Sequence, residues 1–222
     1  MNLIKNYFFV VFVFAAISVF AQTSIPDSPE GRIAKVKELE KSIKTSKSPE
    51  ILRELGMIYS VIAGTDNVEK ETVHKAEKTL DKATQANPQD YELMAAHGSV
   101  LTMMAKFEIE TSKQLRFVKS GTRKLDRALK KDPDNIGALL QRGGNSLGLP
   151  VFLKRTHFAK KDYQHVLDLV GDKQGPDFKA MVLFNLGRTH ELLEEPEKAK
   201  EYWQKAKELN APYWSKKAAD KL

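Results

Sequence analysis

A spaced pattern of small, large and proline residues recurs along the sequence and limits most strongly what the chain can fold into. The first copy has successive offsets of four, three, five and ten and consists of Ala76, Leu80, Ala83, Pro88 and Gly98. The second copy has the same offsets and consists of Gly121, Leu125, Ala128, Pro133 and Gly143. A third, less regular copy consists of Ala199, Trp203, Ala206 and Pro212. Such self-similarity indicates stacked structural repeats.

The residue types at these positions are typical of two antiparallel helices in close contact. Gly or Ala at the crossing lets the backbones approach, and a large residue one turn away fills the space beside them. The proline ends the second helix, because it lacks an N–H and disfavours helical geometry in the preceding residue. The turns NPQD and DPDN also supply Asp and Asn as helix caps. The pattern therefore predicts helix–turn–helix units.

This pattern resembles the tetratricopeptide repeat (TPR), a helix–turn–helix unit of 34 residues. The resemblance extends roughly from Pro49 to Pro212, and the segment from Leu183 to Pro212 is the closest match. It implies an all-α, TPR-like solenoid of about four repeats, with an N-terminal helix and a C-terminal capping helix. The repeats are longer and more degenerate than the standard unit, as in exported bacterial TPR proteins.

Apolar spacing and cap signals predict the limits of the helices. An N-terminal helix is expected from about Pro29 to Lys44, and Ser48 and Pro49 are expected to begin the next helix. Helix pairs are predicted at about 49–64 and 68–87, 90–109 and 111–131, 135–148 and 155–170, and 177–194 and 196–210. One extra turn on each helix would accommodate the surplus length of the first two pairs. The predicted domains are a signal peptide at 1–21, an N-terminal lead and helix at 22–48, the TPR-like repeat domain at 49–212 and a C-terminal capping helix at 213–222.

Residues 1–21 have the composition of a secretory signal peptide. Lys5 precedes the uncharged run NYFFVVFVFAAISVF, and Val19 and Ala21 are small residues before a cleavage site ahead of Gln22. The run of roughly 15 apolar residues is short for a bilayer span of about 20. An uncleaved membrane anchor is the alternative. We expect an exported protein, periplasmic or secreted. The absence of cysteine excludes disulfides and thiolate metal sites.

Arrangements that carry catalysis or bind a metal are not found in the sequence. The five histidines are His74, His97, His157, His165 and His190, and no two share a helix at metal-ligand spacing. His97 and His190 fall at packed positions of the repeat, so we interpret both as core residues. There is no HExxH motif and no nucleophile elbow. We therefore expect no enzyme activity, no cofactor and no metal.

The stretch RGGNSLGLPVFLKR, from Arg142 to Arg155, has glycines spaced like part of a phosphate loop. No strand precedes it and no GK[ST] follows, so the repeat register explains it better. In that register Gly143 is a helix-crossing position, Pro150 ends the helix, and Phe152 is expected to enter the core. Gly144 and Gly148 are open to a second interpretation, a bare backbone patch in the groove where a ligand can approach.

The TPR resemblance implies a concave groove lined by the first helix of each unit. The partner-groove residues carried over from the family positions are Arg53, Met57, Ser99, Thr102, Met103, Leu140, Gly144, Phe184, Arg188 and Glu191. This mixture of apolar, small and charged residues suits a peptide or a helix of a protein partner. The alternative is that longer helices or the N-terminal helix shield some of these residues.

A second candidate surface is the basic stripe, which recurs at helical spacing and consists of Lys113, Arg116, Arg123, Arg127 and Lys130. Leu115, Val118 and Leu125 are expected on the opposite side of this helix. The stripe is either a solvated face or a docking site for an acidic partner or anionic lipid. Nothing indicates nucleic-acid binding.

These observations predict a non-enzymatic exported scaffold or adaptor that binds a protein partner in the groove. The alternative is a small-ligand-binding accessory protein of an envelope transport system. That alternative requires an enclosed apolar pocket near Met103, Leu140 and Phe184.

Overall fold

The computed structural model describes residues 25–26, 28–46, 48–65 and 68–222, and within them it contains ten α-helices and no β-strand. The helices are α1 Pro29–Thr45, α2 Pro49–Ala63, α3 Lys70–Ala86, α4 Tyr91–Met104, α5 Thr111–Lys131, α6 Ile136–Gly148, α7 Thr156–Val170, α8 Pro176–Leu192, α9 Pro196–Glu208 and α10 Trp214–Ala219. Single turns of 3-10 helix occur at Ala105–Phe107 and Val151–Leu153. The predicted all-α class is confirmed.

Local cap chemistry sets where several helices begin. The Ser48 hydroxyl accepts a hydrogen bond from the Glu50 amide at 3.2 Å, and Pro49 is the first helical residue, as predicted. In the turn NPQD, the Asp90 carboxylate accepts from the Leu93 amide at 2.8 Å. In DPDN, the Asn135 side chain accepts from the Ala138 amide at 2.9 Å. These side chains satisfy amides that have no partner inside the helix.

The chain divides into two compact units, of which the first extends to Gln141 and the second comprises Arg142–Leu222. The division falls inside α6. In the first unit, α2 packs on α3, α4 packs on α5, and α1 packs on α2. In the second unit, α7 packs on α8, α8 packs on α9, and α10 packs on both α8 and α9.

Glycines at the predicted crossing positions let the paired helices of the first unit approach. A Cβ built on Gly56 would lie 3.1 Å from a methyl group of Leu80. A Cβ on Gly98 would lie 2.7 Å from the backbone oxygen of Gly121, so α4 and α5 touch backbone to backbone. The small and large positions of the repeat therefore meet as predicted.

The second unit uses the same positions with aromatic partners. A Cβ on Gly143 would lie 3.1 Å from the ring of Tyr163, and Gly187 lies against the indole of Trp203. The Trp203 indole N–H also donates to the Phe184 carbonyl oxygen at 3.2 Å. Flat rings fill the space that a glycine leaves at each crossing.

The lengths of α4 and α5 differ from the prediction. The surplus residues after Gly98 do not extend both helices: α4 ends at Met104, while α5 begins ten residues before Gly121. In α9, only three residues precede the corresponding Ala199. The prediction of one extra turn on each helix is therefore wrong for this pair. A 3-10 turn follows the end of α4, so the additional helical residues all belong to α5.

The predicted domain limits of 22–48, 49–212 and 213–222 stay predictions. The predicted signal peptide, residues 1–21, lies outside the described residues. Within the part of the chain that the structure describes, no helix has both the length and the apolar character needed to cross a membrane.

Candidate partner-binding site

Arg53 of α2, a predicted groove residue, is held by two carboxylates at the start of α4. Its Nε donates to Asp90 Oδ2 at 2.5 Å, and its Nη2 donates to Glu92 Oε2 at 2.8 Å. Burial by itself would lower the pKa of Arg53, but the two carboxylates outweigh burial and raise it. Arg53 therefore links α2 to α4, and its predicted role in binding a partner stays a prediction.

Four other predicted residues of the first unit, Met57, Ser99, Thr102 and Leu140, are buried. Thr102 lies against Gly121 at the α4–α5 crossing, and its hydroxyl donates to the Ser99 carbonyl at 2.7 Å. The Ser99 hydroxyl donates to the Gln141 carbonyl at 3.4 Å. These side chains contact neighbouring helices in the structure, whereas Met103 is half-buried at the edge of the core.

In the second unit, the C-terminal residues 214–222, which include α10, contact two of the predicted groove residues. Phe184 is buried, with its ring centroid 5.4 Å from that of Trp214. The exposed carboxylate of Glu191 accepts hydrogen bonds from Lys221 at 3.0 and 3.1 Å. Arg188 is half-buried. Whether these residues line a partner-binding groove stays a prediction.

The glycine-rich stretch is a helix crossing followed by an exposed turn. Gly144 and Gly148 are both buried, so neither leaves backbone bare to solvent, and the second interpretation of this stretch is not supported. Phe152 is 57% exposed, so the prediction that it enters the core is wrong. Phe152 lies in the single 3-10 turn Val151–Leu153, which is too short to direct this side chain toward the core. The turn ends at Lys154, whose backbone is in the left-handed conformation with φ 54°.

Sequence reasoning missed a buried ion pair in the second unit. Arg142 donates from Nε to Asp162 Oδ2 at 2.8 Å and from Nη2 to Asp162 Oδ1 at 2.7 Å. The Phe158 ring lies under the guanidinium of Arg142 at 4.7 Å and that of Arg155 at 3.9 Å. One signal was available: Asp162 follows Ala159 by three residues, which places it on the buried face of α7.

The two histidines predicted to be core residues are confirmed as buried. His97 Nδ1 lies 3.3 Å from the Thr84 hydroxyl, and burial lowers the pKa of His97 to about 3. His190 Nδ1 lies 2.7 Å from Glu195 Oε2. Hydrogen bonds from Lys198 and then from His190 lower the pKa of Glu195 to about 2. Among the described residues, no three His, Asp or Glu side chains form a group suited to a metal.

A cleft that sequence reasoning did not predict lies between α1, α2 and α3. Its volume is about 340 Å³, and it is lined by Glu40, Ile43, Lys44, Leu52, Leu55, Thr79 and Lys82. Glu40 accepts a hydrogen bond from the Tyr59 hydroxyl at 2.6 Å and pairs with Lys75 at 2.5 Å. Burial and then this hydrogen bond raise the pKa of Tyr59 to about 12.

The predicted basic stripe lies on the outer side of α5. Its five members, Lys113, Arg116, Arg123, Arg127 and Lys130, are all exposed. Lys113 pairs with Glu110 at 2.8 Å, and this hydrogen bond raises the pKa of Lys113. Lys119 is also exposed and was missed by the prediction. Leu115 was expected on the opposite side but is 42% exposed, because the first turns of α5 extend past the end of α4.

Comparison with known families identifies one segment of the chain. The tetratricopeptide repeat family matches residues 180–212, which include α9 and most of α8. The same segment contains the Gly187–Trp203 contact. No curated protein matches the chain in sequence.

Solved structures resemble the chain over most of its length. It is similar to TTC0263, a thermophilic TPR protein of Thermus thermophilus, with a TM-score of 0.67 at 15% identity, covering 86% of this chain and 91% of that one. It is also similar to a structure described as the MamA RS-1 ArsTM double mutant, with a TM-score of 0.52 at 16% identity, covering 81% and 85%. At these identities the likeness concerns the fold.

Proposed function

We propose that this chain, whose residues 180–212 match the tetratricopeptide repeat family and whose fold resembles that of solved TPR proteins, is a non-enzymatic adaptor that binds a protein partner. TPR folds generally mediate contacts between proteins, and TPR scaffolds are generally non-catalytic. The proposed docking site is the face shared by α2 and α4 in the first unit. The partner supplies a peptide or a helix.

The observation that carries this proposal is the hydrogen-bonded contact between α2 and α4. The two helices pack together, and Arg53 bridges from α2 to Asp90 and Glu92 of α4 across two short hydrogen bonds. A preformed surface lowers the entropy cost of binding, because the partner loses most of the conformational freedom and this chain loses little. Half-buried Met103 adds adaptable apolar surface at the same helix.

A site-specific photo-cross-link tests this proposal. A photoreactive amino acid at Met103 should capture one defined protein in the native cells, because the side chain lies on the proposed face. The matched control places the same group at Phe152, an exposed apolar position in the second unit. Equal capture of the same proteins from both positions, or none from Met103, would remove the α2–α4 face as the docking site.

Substitution then separates this face from the basic stripe. Met103→Glu should abolish capture of the identified partner, since a charge would be desolvated at the contact. Leu115→Glu places the same charge at an exposed apolar residue of α5 and should leave capture unchanged. If only Leu115→Glu abolishes capture, the partner binds α5 instead.

We also propose that the protein works outside the cytoplasm, either in the periplasm or after secretion. The support is the sequence of residues 1–21, with Lys5, an uncharged run and small residues before Gln22.

The alternative function, a small-ligand accessory protein, required a pocket near Met103, Leu140 and Phe184. The cleft between α1, α2 and α3 is lined by none of these residues.

A further inference from the structure

Helix α5 concentrates positive charge in a way that the rest of the chain does not. Thr111–Lys131 contains eight Lys and Arg residues and a single acidic residue, Asp126. The charge of this one helix therefore equals the formal net charge of +7 of the whole chain. Outside α5 the formal positive and negative charges are equal in number, so α5 carries the excess charge that can attract anions over a long range.

Five of these basic residues form a straight row, the α5 row: Arg116, Lys119, Arg123, Arg127 and Lys130. Their spacings of three, four, four and three residues keep them on one side of the helix, and all five are exposed. At a rise of about 1.5 Å per residue, the row is roughly 21 Å long.

No carboxylate of the described residues forms an ion pair with any member of the α5 row. Helix α9 provides a contrast within the same chain. There Lys198, Lys200 and Lys205 pair with Glu195, Glu197 and Glu201 at 2.9, 3.4 and 2.5 Å. Since no carboxylate in the described part of the chain pairs with these cations, their charge is available to an external anion, unlike that of the paired lysines of α9.

Exposed apolar side chains adjoin the amino-terminal end of the α5 row. Ile109, two residues before α5, is 78% exposed. Leu115 is also exposed, and it lies one turn before Lys119 on the flank of the row. Large aliphatic side chains beside a row of cations are typical of surfaces that rest at the boundary between lipid headgroups and acyl chains.

We propose that the α5 row binds the surface of an anionic lipid bilayer. The five cations contact lipid phosphates along the helix, and Ile109 and Leu115 enter the headgroup region beside them. A bilayer fits better than an acidic protein segment because the row is straight, lies on a single helix and has aliphatic neighbours. This surface is separate from the α2–α4 face proposed for the protein partner, so the adaptor would hold a partner beside a membrane.

Lysine footprinting on the full chain tests the contact residue by residue. The chain is treated with an amine-acetylating reagent alone, with phosphatidylcholine vesicles, and with vesicles that contain phosphatidylglycerol. We expect Lys119 and Lys130 to lose reactivity on the anionic vesicles, while Lys200 and Lys205 of α9 do not. The ratio of the loss of reactivity at the α5 lysines to that at the α9 lysines shows which face contacts the vesicle, even if residues 1–21 also attach the chain to vesicles.

A charge-matched pair of variants measures the contribution of the row. Arg116→Ala, Arg123→Ala and Arg127→Ala together should weaken binding to anionic vesicles by on the order of a hundredfold, since each cation near such a surface contributes about fivefold. The control is Lys198→Ala, Lys200→Ala and Lys205→Ala, which removes the same charge from α9. It should retain the protection of Lys119 and Lys130.

Soluble polyglutamate distinguishes a lipid surface from an acidic protein. Protection of Lys119 and Lys130 by polyglutamate alone, or equally by polyglutamate and by anionic vesicles, would overturn the lipid assignment. So would equal protection of the α5 and α9 lysines on vesicles. Protection by phosphatidylglycerol vesicles that polyglutamate does not reproduce supports it.

Discussion

At the scale of single residues, Gly121 decides whether α4 and α5 can pack as closely as they do. A Cβ at this position would meet backbone on the other helix, with the Thr102 amide nitrogen 2.9 Å away. Backbone cannot move aside as a flexible side chain can. Overpacking of this kind costs roughly 1–3 kcal/mol, and alanine recovers about 1 kcal/mol of helix propensity.

Because the Cβ would meet backbone, we expect the upper part of this range, so Gly121→Ala should lower the free energy of unfolding by about 2 kcal/mol, measured by urea denaturation followed by circular dichroism. Gly175→Ala is the matched control, because no atom lies within 4 Å of its Cβ position. Its effect should stay within about 0.5 kcal/mol. Equal effects of the two substitutions would show that the close approach of α4 and α5 does not limit stability.

His97 makes the stability of the fold depend on pH. It is 1% exposed, and burial, followed by the charge of Lys124, lowers its folded-state pKa to about 3. The Glu77 carboxylate lies 3.7 Å from Nε2, too far for a hydrogen bond. Because the folded pKa lies below the unfolded value of about 6.5, the unfolded chain takes up the proton first as the pH falls. Stability from this residue is present above about pH 6.5 and is lost as the pH falls toward 3.

The wild-type chain should thus lose about 2 kcal/mol more unfolding free energy than His97→Gln between pH 7.5 and pH 5. The other histidines and the carboxylates are common to both chains, so the difference between their slopes isolates His97. The measurement is urea denaturation at the two pH values. Parallel pH profiles would mean that His97 accepts a proton inside the fold.

At the scale of secondary-structure elements, α10 covers the end of the α8–α9 pair with only six helical residues. Trp214 is 3% exposed and packs on Phe184. The Ser215 hydroxyl donates to the Ala206 carbonyl at 2.6 Å and accepts from the Ala211 amide at 2.8 Å, which fixes the turn between α9 and α10. So short a helix is not stable alone and depends on this packing.

Trp214→Ala should lower the unfolding free energy by about 3–5 kcal/mol, because it removes the largest side chain that α10 buries. Tyr213→Ala is the neighbouring control, since Tyr213 is 41% exposed. Limited proteolysis should cut the Trp214→Ala chain after residue 208 and leave the Tyr213→Ala chain intact there. Resistance of both chains at this site would show that α10 stays docked without the indole.

At the scale of the whole molecule, the proposal that the protein is exported predicts a defined amino terminus. When the complete sequence is expressed in a bacterium, the chain recovered from the periplasm should begin at Gln22. Val13→Asp places a charge in the uncharged run and should leave the precursor uncut, whereas Asn6→Ser should change nothing. Mass spectrometry of the recovered protein gives the result. A full-length chain in the membrane fraction would favour the anchor, and one in the cytosol would contradict export.

The order and pairing of the helices could be predicted from the sequence by itself. Gly56, Gly98, Gly143 and Gly187 fell in register with the large residues that they contact, and Ser48 and Asp90 marked helix starts. These features are local: a cap binds an amide two or three residues away, and a crossing pairs adjacent helices. Spacing along the chain is enough to encode such contacts.

Which polar side chains face solvent was decided only by the tertiary structure. Arg53 binds carboxylates 37 and 39 positions later in the chain, and Glu191 binds Lys221, which is 30 positions away. Thr102 was assigned to a groove by family position, yet it lies against Gly121. No spacing rule encodes these contacts, because they depend on how separate helices come together in space. The sequence therefore determined the repeat, while the packing of the repeats determined which residues remain exposed to solvent.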